Sequence, residues 1–342
     1  MKKRGKISEK KVFGTILTIL AIFLAFNLVK DIDFKEVYLI FTEINPIYVL
    51  LAFFSGLFVF LLWNLRFKNT LRGLVRIKYL NLLPILFTGL FVNMITPGSG
   101  VGGEPVRAYY LSKKYKKPKT KFLGCIFADK FFNLLVFILF VIISLLLVIV
   151  YFDIPRTTKF ILEGFLLLLF FGISLFFYLF FRKHRLDISI ITRNLYKLKA
   201  IKKKFLSYNE FKKYIDEKLD NFLIVFRKVI VNKKQFYSGI FLSLLIWMFT
   251  FLISYFLFLS FRTPINFISV MTVVSLGFFF GEISPLPGGI GVVESVMFLL
   301  YSAMGVFEPI AITVALLSRI IYYFYTLLLG GIALIYLRNT AD

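Results

Sequence analysis

Two glutamates and two cations recur in this chain at nearly one spacing. Glu104 closes the stretch Pro97-Gly98-Ser99-Gly100-Val101-Gly102-Gly103-Glu104, and Glu294 closes Pro287-Gly288-Gly289-Ile290-Gly291-Val292-Val293-Glu294. Pro97, Gly98 and Glu104 map onto Pro287, Gly288 and Glu294 with a constant offset of 190 positions. Asn93 falls opposite Glu282 or Ile283, depending on a one-residue slip. The long apolar segment after each stretch carries a cation: Lys130, in Asp129-Lys130, and Arg319, in Ser318-Arg319, 189 positions apart.

These charges lie in segments apolar enough for a membrane interior. Lys130 is about nine residues into its segment, roughly 13 Å deep at about 1.5 Å per residue, and Arg319 lies equally deep from the opposite face. A lone cation at the centre of a core about 30 Å thick costs roughly 2.5 to 3.5 kcal/mol. Each therefore needs a partner, and the expected pairs are Glu104 with Lys130 and Glu294 with Arg319, with Arg107 and Asp129 completing the first cluster. Two roles follow. Such pairs can pin each glycine stretch to its long helix. Alternatively, backbone N–H groups around Gly98, Gly103, Gly288 and Gly289, with Arg107 and Arg319 nearby, can hold an anion such as a lipid phosphate. The first stretch lacks the Lys-Ser/Thr ending of a phosphate-binding loop of nucleotide enzymes.

Other reactive chemistry is sparse. Cys125 is the sole cysteine and His184 the sole histidine, which excludes an intrachain disulfide, a Cys–His nucleophile and a zinc site. No metal or other cofactor is expected, and no catalytic or nucleotide-binding motif is present. The chain is 59% hydrophobic and 19% aromatic, with a mean hydropathy of +0.84. Apolar runs from end to end mark an all-α polytopic membrane protein. The net charge of +24 sits in short loops, where basic residues mark the cytoplasmic side and contact anionic headgroups. No nucleic-acid reading module accompanies it, so nucleic acid is not expected as a partner.

Taken in order, residues 1–11 form a basic cytoplasmic leader, and Val12 to Val29 a first span that stays uncleaved. Pro46 to Leu65 returns to an inside cluster of Arg66, Lys68, Arg72, Arg76 and Lys78. Residues 79–112 leave and re-enter among lysines, as a re-entrant hairpin would. Phe122 to Phe152 and Phe160 to Phe181 form the next two spans. Residues 182–235 form a basic linker, in which Phe211, Tyr214, Ile215, Phe222, Leu223, Phe226 and Val229 trace the apolar face of a surface helix. Phe236 to Phe261 goes out, residues 264–305 form a second hairpin, and Ile310 to Leu337 returns, leaving both termini cytoplasmic. The expectation is a single domain over 1–342, with six full spans and two hairpins entering from opposite sides. That is an inverted repeat with a polar cavity between its tips. Trp63, Trp247 and Tyr322, Tyr323 and Tyr325 read as packing or interface aromatics.

Asn93-x-x-x-Pro97, then Gly103-Glu104-Pro105-Val106-Arg107, Asp129-Lys130 and Pro285-Leu286-Pro287-Gly288-Gly289-Ile290-Gly291-x-x-Glu294 resemble the lysylphosphatidylglycerol synthase transmembrane-region family, also called flippase-like domain proteins. The resemblance spans nearly the whole chain, and the second glycine block is its most specific part. It implies a plasma-membrane protein that moves a phospholipid or lipid-linked headgroup between leaflets. In the family's multiple-peptide-resistance proteins a similar region accompanies a lipid-aminoacylating domain, and an archaeal relative carries a glycosyltransferase. Neither domain is expected here, since eleven residues precede Val12 and five follow Leu337. Lys130 also stands where the family commonly has arginine. An intramembrane lipid-modifying transferase, or a membrane partner of a separate transferase, are the alternative readings.

Overall fold

A computed structural model describes residues 44–96, 102–151, 156–181, 189–284 and 286–340, and every regular element among them is helical. The first described helix, α1 (Pro46–Leu71), starts at Asn45, whose side-chain oxygen accepts from the Ile47 N–H at 3.0 Å. Pro46 at its first position costs nothing, because that N–H has no partner inside the helix. The helix runs six residues beyond the expected span end at Leu65, so Arg66 and Asn69 lie on it rather than in a loop.

Next come α2 (Tyr79–Ile95), α3 (Gly103–Tyr115), α4 (Lys119–Tyr151) and α5 (Arg156–Phe181). A short helix, α6 (Ser189–Tyr196), leads to α7 (Tyr208–Val231), whose Ser207 cap accepts from Glu210 N–H. Asn232 ends α7 and caps α8 (Lys233–Ser260) through Gln235 N–H. Asn266 caps α9 (Phe267–Ile283), and a tight turn at Pro287–Gly289 leads to α10 (Val292–Ala303). The last segment is α11 (Glu308–Tyr323), a wider π turn at Phe324–Leu329, and α12 (Gly330–Thr340).

Four described segments are long and apolar enough to cross a membrane: Pro46–Leu71, Lys119–Tyr151, Lys233–Ser260 and Glu308–Thr340. The expected first span, 12–29, lies outside the described residues. The expected span 160–181 falls within α5, where the apolar stretch described is the shorter Leu162–Gly172. The helices of the two glycine-containing units, α2, α3, α9 and α10, have 17, 13, 17 and 12 residues. Each is shorter than the roughly 20 residues that a crossing helix needs.

The scaffold is a bundle in which α1 packs along α8, tied by polar contacts from Asn69 to Ser238 and Gln235. Phe60 of α1 sits among Phe87, Tyr322 and Tyr325, with ring centroids 5.4 to 5.6 Å away. Phe137 of α4 stacks on Trp247 of α8 at 4.9 Å. Such aromatic pairs add about 0.5 to 1.5 kcal/mol beyond the area they bury.

Helix α7 has an apolar face, as its periodicity predicts. Its second half, including Val225, Phe226 and Val229, is buried against α4. Gly124 permits this approach, since a Cβ there would lie 2.6 Å from the Phe222 carbonyl oxygen. Ahead of α7, Ile190 and Ile191 of α6 and Leu198 and Leu206 of the connecting segment are exposed.

Candidate functional site

Both glycine-containing units close through backbone approaches that a side chain would block. A Cβ on Gly103 would lie 1.9 Å from the Gly89 carbonyl oxygen, so α3 meets α2 only because residue 103 has none. In the second unit Gly289 presses on Gly281, where a Cβ would be 2.9 Å from the Gly281 Cα. Gly288 and Gly289 also have positive φ, +60° and +66°, the left-handed region that glycine occupies without penalty. The units touch at Met94, whose thioether abuts Gly288. Gly98 lies outside the described residues.

A cavity of about 730 Å³ opens beside this contact. Asn93 and Met94 line it from the first unit, Gly281, Glu282, Gly288 and Met297 from the second. Helices α1, α4, α8 and α11 supply Trp63 and Arg66, Lys130 and Asn133, Trp247, and Arg319 and Tyr322. The rest of the wall is chiefly Phe, Leu, Ile and Val. Charged groups concentrated on a mainly apolar wall suit an amphiphile with a polar head.

Around Glu104 the polar side chains share one oxygen. Lys130 Nζ lies 2.9 Å and Arg107 Nη2 3.0 Å from Glu104 Oε1, and Asn93 Nδ2 donates to it at 3.3 Å. Asn93 Oδ1 accepts from the Gly103 N–H at the start of α3. Glu104 Oε2 and the Nε and Nη1 of Arg107 have no hydrogen-bond partner among the described residues. The Arg107 guanidinium instead lies over the Phe67 ring, 5.5 Å from its centroid. Arg107 and Glu104 are buried, whereas the Lys130 side chain is 37% exposed, on the cavity wall.

In the Glu294 cluster both carboxylate oxygens are bonded. Glu294 Oε1 accepts from Arg319 Nε at 3.1 Å and from the Tyr323 hydroxyl at 2.8 Å, while Oε2 accepts from Gly291 N–H at 2.8 Å. Arg319 Nη2 donates to the Gly288 carbonyl at 2.7 Å and to Tyr323 at 3.0 Å. The rings of Phe278, Tyr322 and Tyr323 flank its guanidinium at 4.8 to 5.3 Å. Tyr323, read from sequence as a packing aromatic, is a bonded member of this cluster.

Asp129 departs from its expected place. It does not join the Glu104 cluster but binds Arg66: Nε to Oδ1 at 2.8 Å, with Trp63 Nε1 on Oδ2 at 2.9 Å. The reason is helical geometry. Adjacent residues point about 100° apart, so Lys130 and Asp129 face different neighbours. Arg66 is itself a correction, buried to 1% exposure rather than lying in a cytoplasmic loop. It also donates to Asn133 at 3.1 Å and Ser243 at 2.8 Å, joining α1, α4 and α8. Its place within a run of basic residues concealed this. The signal available in sequence was Asp129, an intramembrane carboxylate left without a cation once Glu104 took Lys130.

Of the expected site residues, Asn93, Lys130, Glu282, Gly288 and Arg319 line the cavity. Gly103, Glu104, Arg107, Gly289 and Glu294 stand behind them, holding backbone turns and counter-charges. Among the described residues no three His, Cys, Asp or Glu side chains gather as a metal site.

The apolar helices and their buried charge clusters define a multi-pass integral membrane protein. Residues 12–330 match the family described as the Lysylphosphatidylglycerol synthase TM region, and the chain belongs to that family. It is 26% identical over 332 residues to a UPF0104 membrane protein of Methanothermobacter thermautotrophicus, covering 96% of this chain and 97% of the relative. A UPF0104 membrane protein of Methanocaldococcus jannaschii is 29% identical over 334 residues, 96% of each chain. One from Pyrococcus horikoshii is 27% identical over 292 residues, 83% of this chain and 85% of its own.

Proposed function

We propose that the protein moves a phospholipid, or a lipid-linked headgroup, between bilayer leaflets, and that the cavity is where the headgroup sits. The observation that carries this reading is the cavity wall, where Lys130, Arg319, Arg66, Asn93 and Glu282 share one volume with aromatic and aliphatic side chains. A phosphate would find Lys130, and acyl chains an apolar surface. Family membership is consistent with work on lipid.

In this reading the chain lies in the plasma membrane with both termini cytoplasmic. It crosses six times, and the units α2–α3 and α9–α10 enter from opposite sides as an inverted repeat, opening the cavity alternately. The basic segment with exposed Ile190, Ile191 and Leu206 rests on anionic headgroups at the cytoplasmic face.

The test is reconstitution of the purified chain into vesicles of labelled lipid extract, with leaflet-specific labelling as readout. The expected result is movement of at least one lipid class faster than in empty vesicles, lost in Lys130→Gln. Equal rates with and without protein for every class would sink the reading. The opposed entry has its own test, because Cys125 is buried and leaves few background thiols. Ser99→Cys and Ile290→Cys should react from opposite sides of the membrane, and reaction of both from one side would remove the inverted repeat. Gly289→Cys is unsuitable for that test, given the contact with Gly281.

A further inference from the structure

Glu282 is the cavity residue that the ion pairs leave over. It is the sole carboxylate among the described residues lining the cavity. Its side chain is accessible there, and it makes no ion pair and accepts no hydrogen bond among the described residues. The groups facing it are charged. Lys130 from α4, Arg319 from α11 and Glu104 from α3 lie within electrostatic range, and Tyr322 of α11 is close by. Helix α8 contributes Ile246, Trp247, Thr250, Ile253 and Ser254 to the wall, none of which titrates near neutrality. From α10 come Val293 and Met297, with Glu294 turned to Arg319, and from the turn Gly288.

Glu104 and Glu294 are each committed to a cation, so they cannot answer a change of charge in the cavity. Glu282 can. With the cavity empty of ligand, burial opposes the charge on its carboxylate, and Lys130 and Arg319 offset part of that cost. An anion placed against Lys130 brings a second negative charge to the same cations, inside a largely apolar wall. Two like charges that close are not both held, and the weaker acid takes the proton. A phosphodiester is far the stronger acid of the two.

We infer that Glu282 is the cavity's displaceable counter-charge, and that binding of a singly charged phosphodiester there is coupled to uptake of one proton from water onto its carboxylate. This rests on the reading of the cavity as a headgroup site. It adds a coupling to that site: carriage of the anion would be accompanied by a proton, and a proton gradient would bias its direction.

The test is calorimetric titration of the full chain in detergent with a short-chain phosphatidylglycerol, from pH 5.5 to 8.5. Runs in buffers of differing ionisation enthalpy count the protons taken up. His184, the sole histidine, is replaced by glutamine in every protein, since it would titrate in this window. The expected result is uptake approaching one proton, and a dissociation constant that rises by up to tenfold per pH unit. In Glu282→Gln the proton uptake and the pH slope should vanish. Glu282→Asp should retain both, and keeps the idea testable if the glutamine variant does not fold. Deacylated glycerophosphoglycerol is the parallel ligand. Equal binding of it would make the partner a free phosphodiester rather than a lipid, with the same proton count required.

Binding without proton uptake overturns the inference and leaves the headgroup site standing. A pH slope that survives in Glu282→Gln does the same. Absence of binding by either ligand at every pH overturns both.

Discussion

Among the described residues, Glu294 has both carboxylate oxygens occupied, whereas Glu104 has three donors on one oxygen and none on the other. Their cations differ in the same direction. Arg319 is 3% exposed and wrapped by three aromatic rings, while Lys130 is 37% exposed. The first arrangement is closed. A bound anion could gain little from Arg319 without undoing bonds that hold Gly288 and the start of α10. The second is open, because Lys130 lines the cavity and Glu104 is paired with Arg107 as well. The Glu294 cluster is thus a closed anchor, whereas the Glu104 cluster meets the cavity through Lys130. The lesson is that two charge pairs at matching positions in sequence can divide anchoring and binding between them.

Breaking the closed cluster should have the largest effect on stability. Arg319→Ala leaves Glu294 buried without its cation, and loss of one partner of a buried pair costs about 3–5 kcal/mol. Thermal unfolding in detergent, followed by size-exclusion chromatography, should show a large drop or no folded protein. A fold that survives with little change would mean that the cluster anchors nothing. Gly103→Ala comes next. Its methyl meets the Gly89 backbone, and overpacking of this kind costs typically about 1–3 kcal/mol. A wild-type melting curve would show that α2 and α3 separate easily.

Tyr323→Phe should be milder, about 1 kcal/mol for the lost hydroxyl bonds, with lipid movement largely retained. The smallest stability change, under about 1 kcal/mol, belongs to Lys130→Gln, because Glu104 keeps Arg107. That variant should nevertheless lose lipid movement in vesicles. If Lys130→Gln destabilised the protein as much as Arg319→Ala, the two clusters would not differ in kind.

Much of this was legible in the sequence. The glycine stretches, their glutamates and the cations in the following helices are rare residue types in an apolar background, so spacing alone pairs Glu104 with Lys130 and Glu294 with Arg319. Arg66 was not legible, because a buried arginine at the end of an apolar helix looks like the first residue of a basic loop. The division of Asp129 from Lys130 depends on which helices lie on either side of α4, which no local pattern encodes. Tyr323 was hidden among neighbouring tyrosines, and its role follows only from the rotation of α11 toward Glu294. The burial of half of α7 against α4 likewise turns on Gly124, whose small size matters only once Phe222 is known to cross it.

The chain holds two tryptophans, Trp63 and Trp247, and both stand on the cavity wall. Trp63 is bonded through its indole N–H to Asp129, and Trp247 is stacked on Phe137. All of the protein's indole emission therefore originates at the proposed headgroup site. A lipid carrying a brominated chain that enters the cavity should quench that emission to a much larger extent than one confined to the outer surface. The unlabelled protein is in this sense its own optical probe, and occupancy of the cavity can be followed in real time without altering a residue.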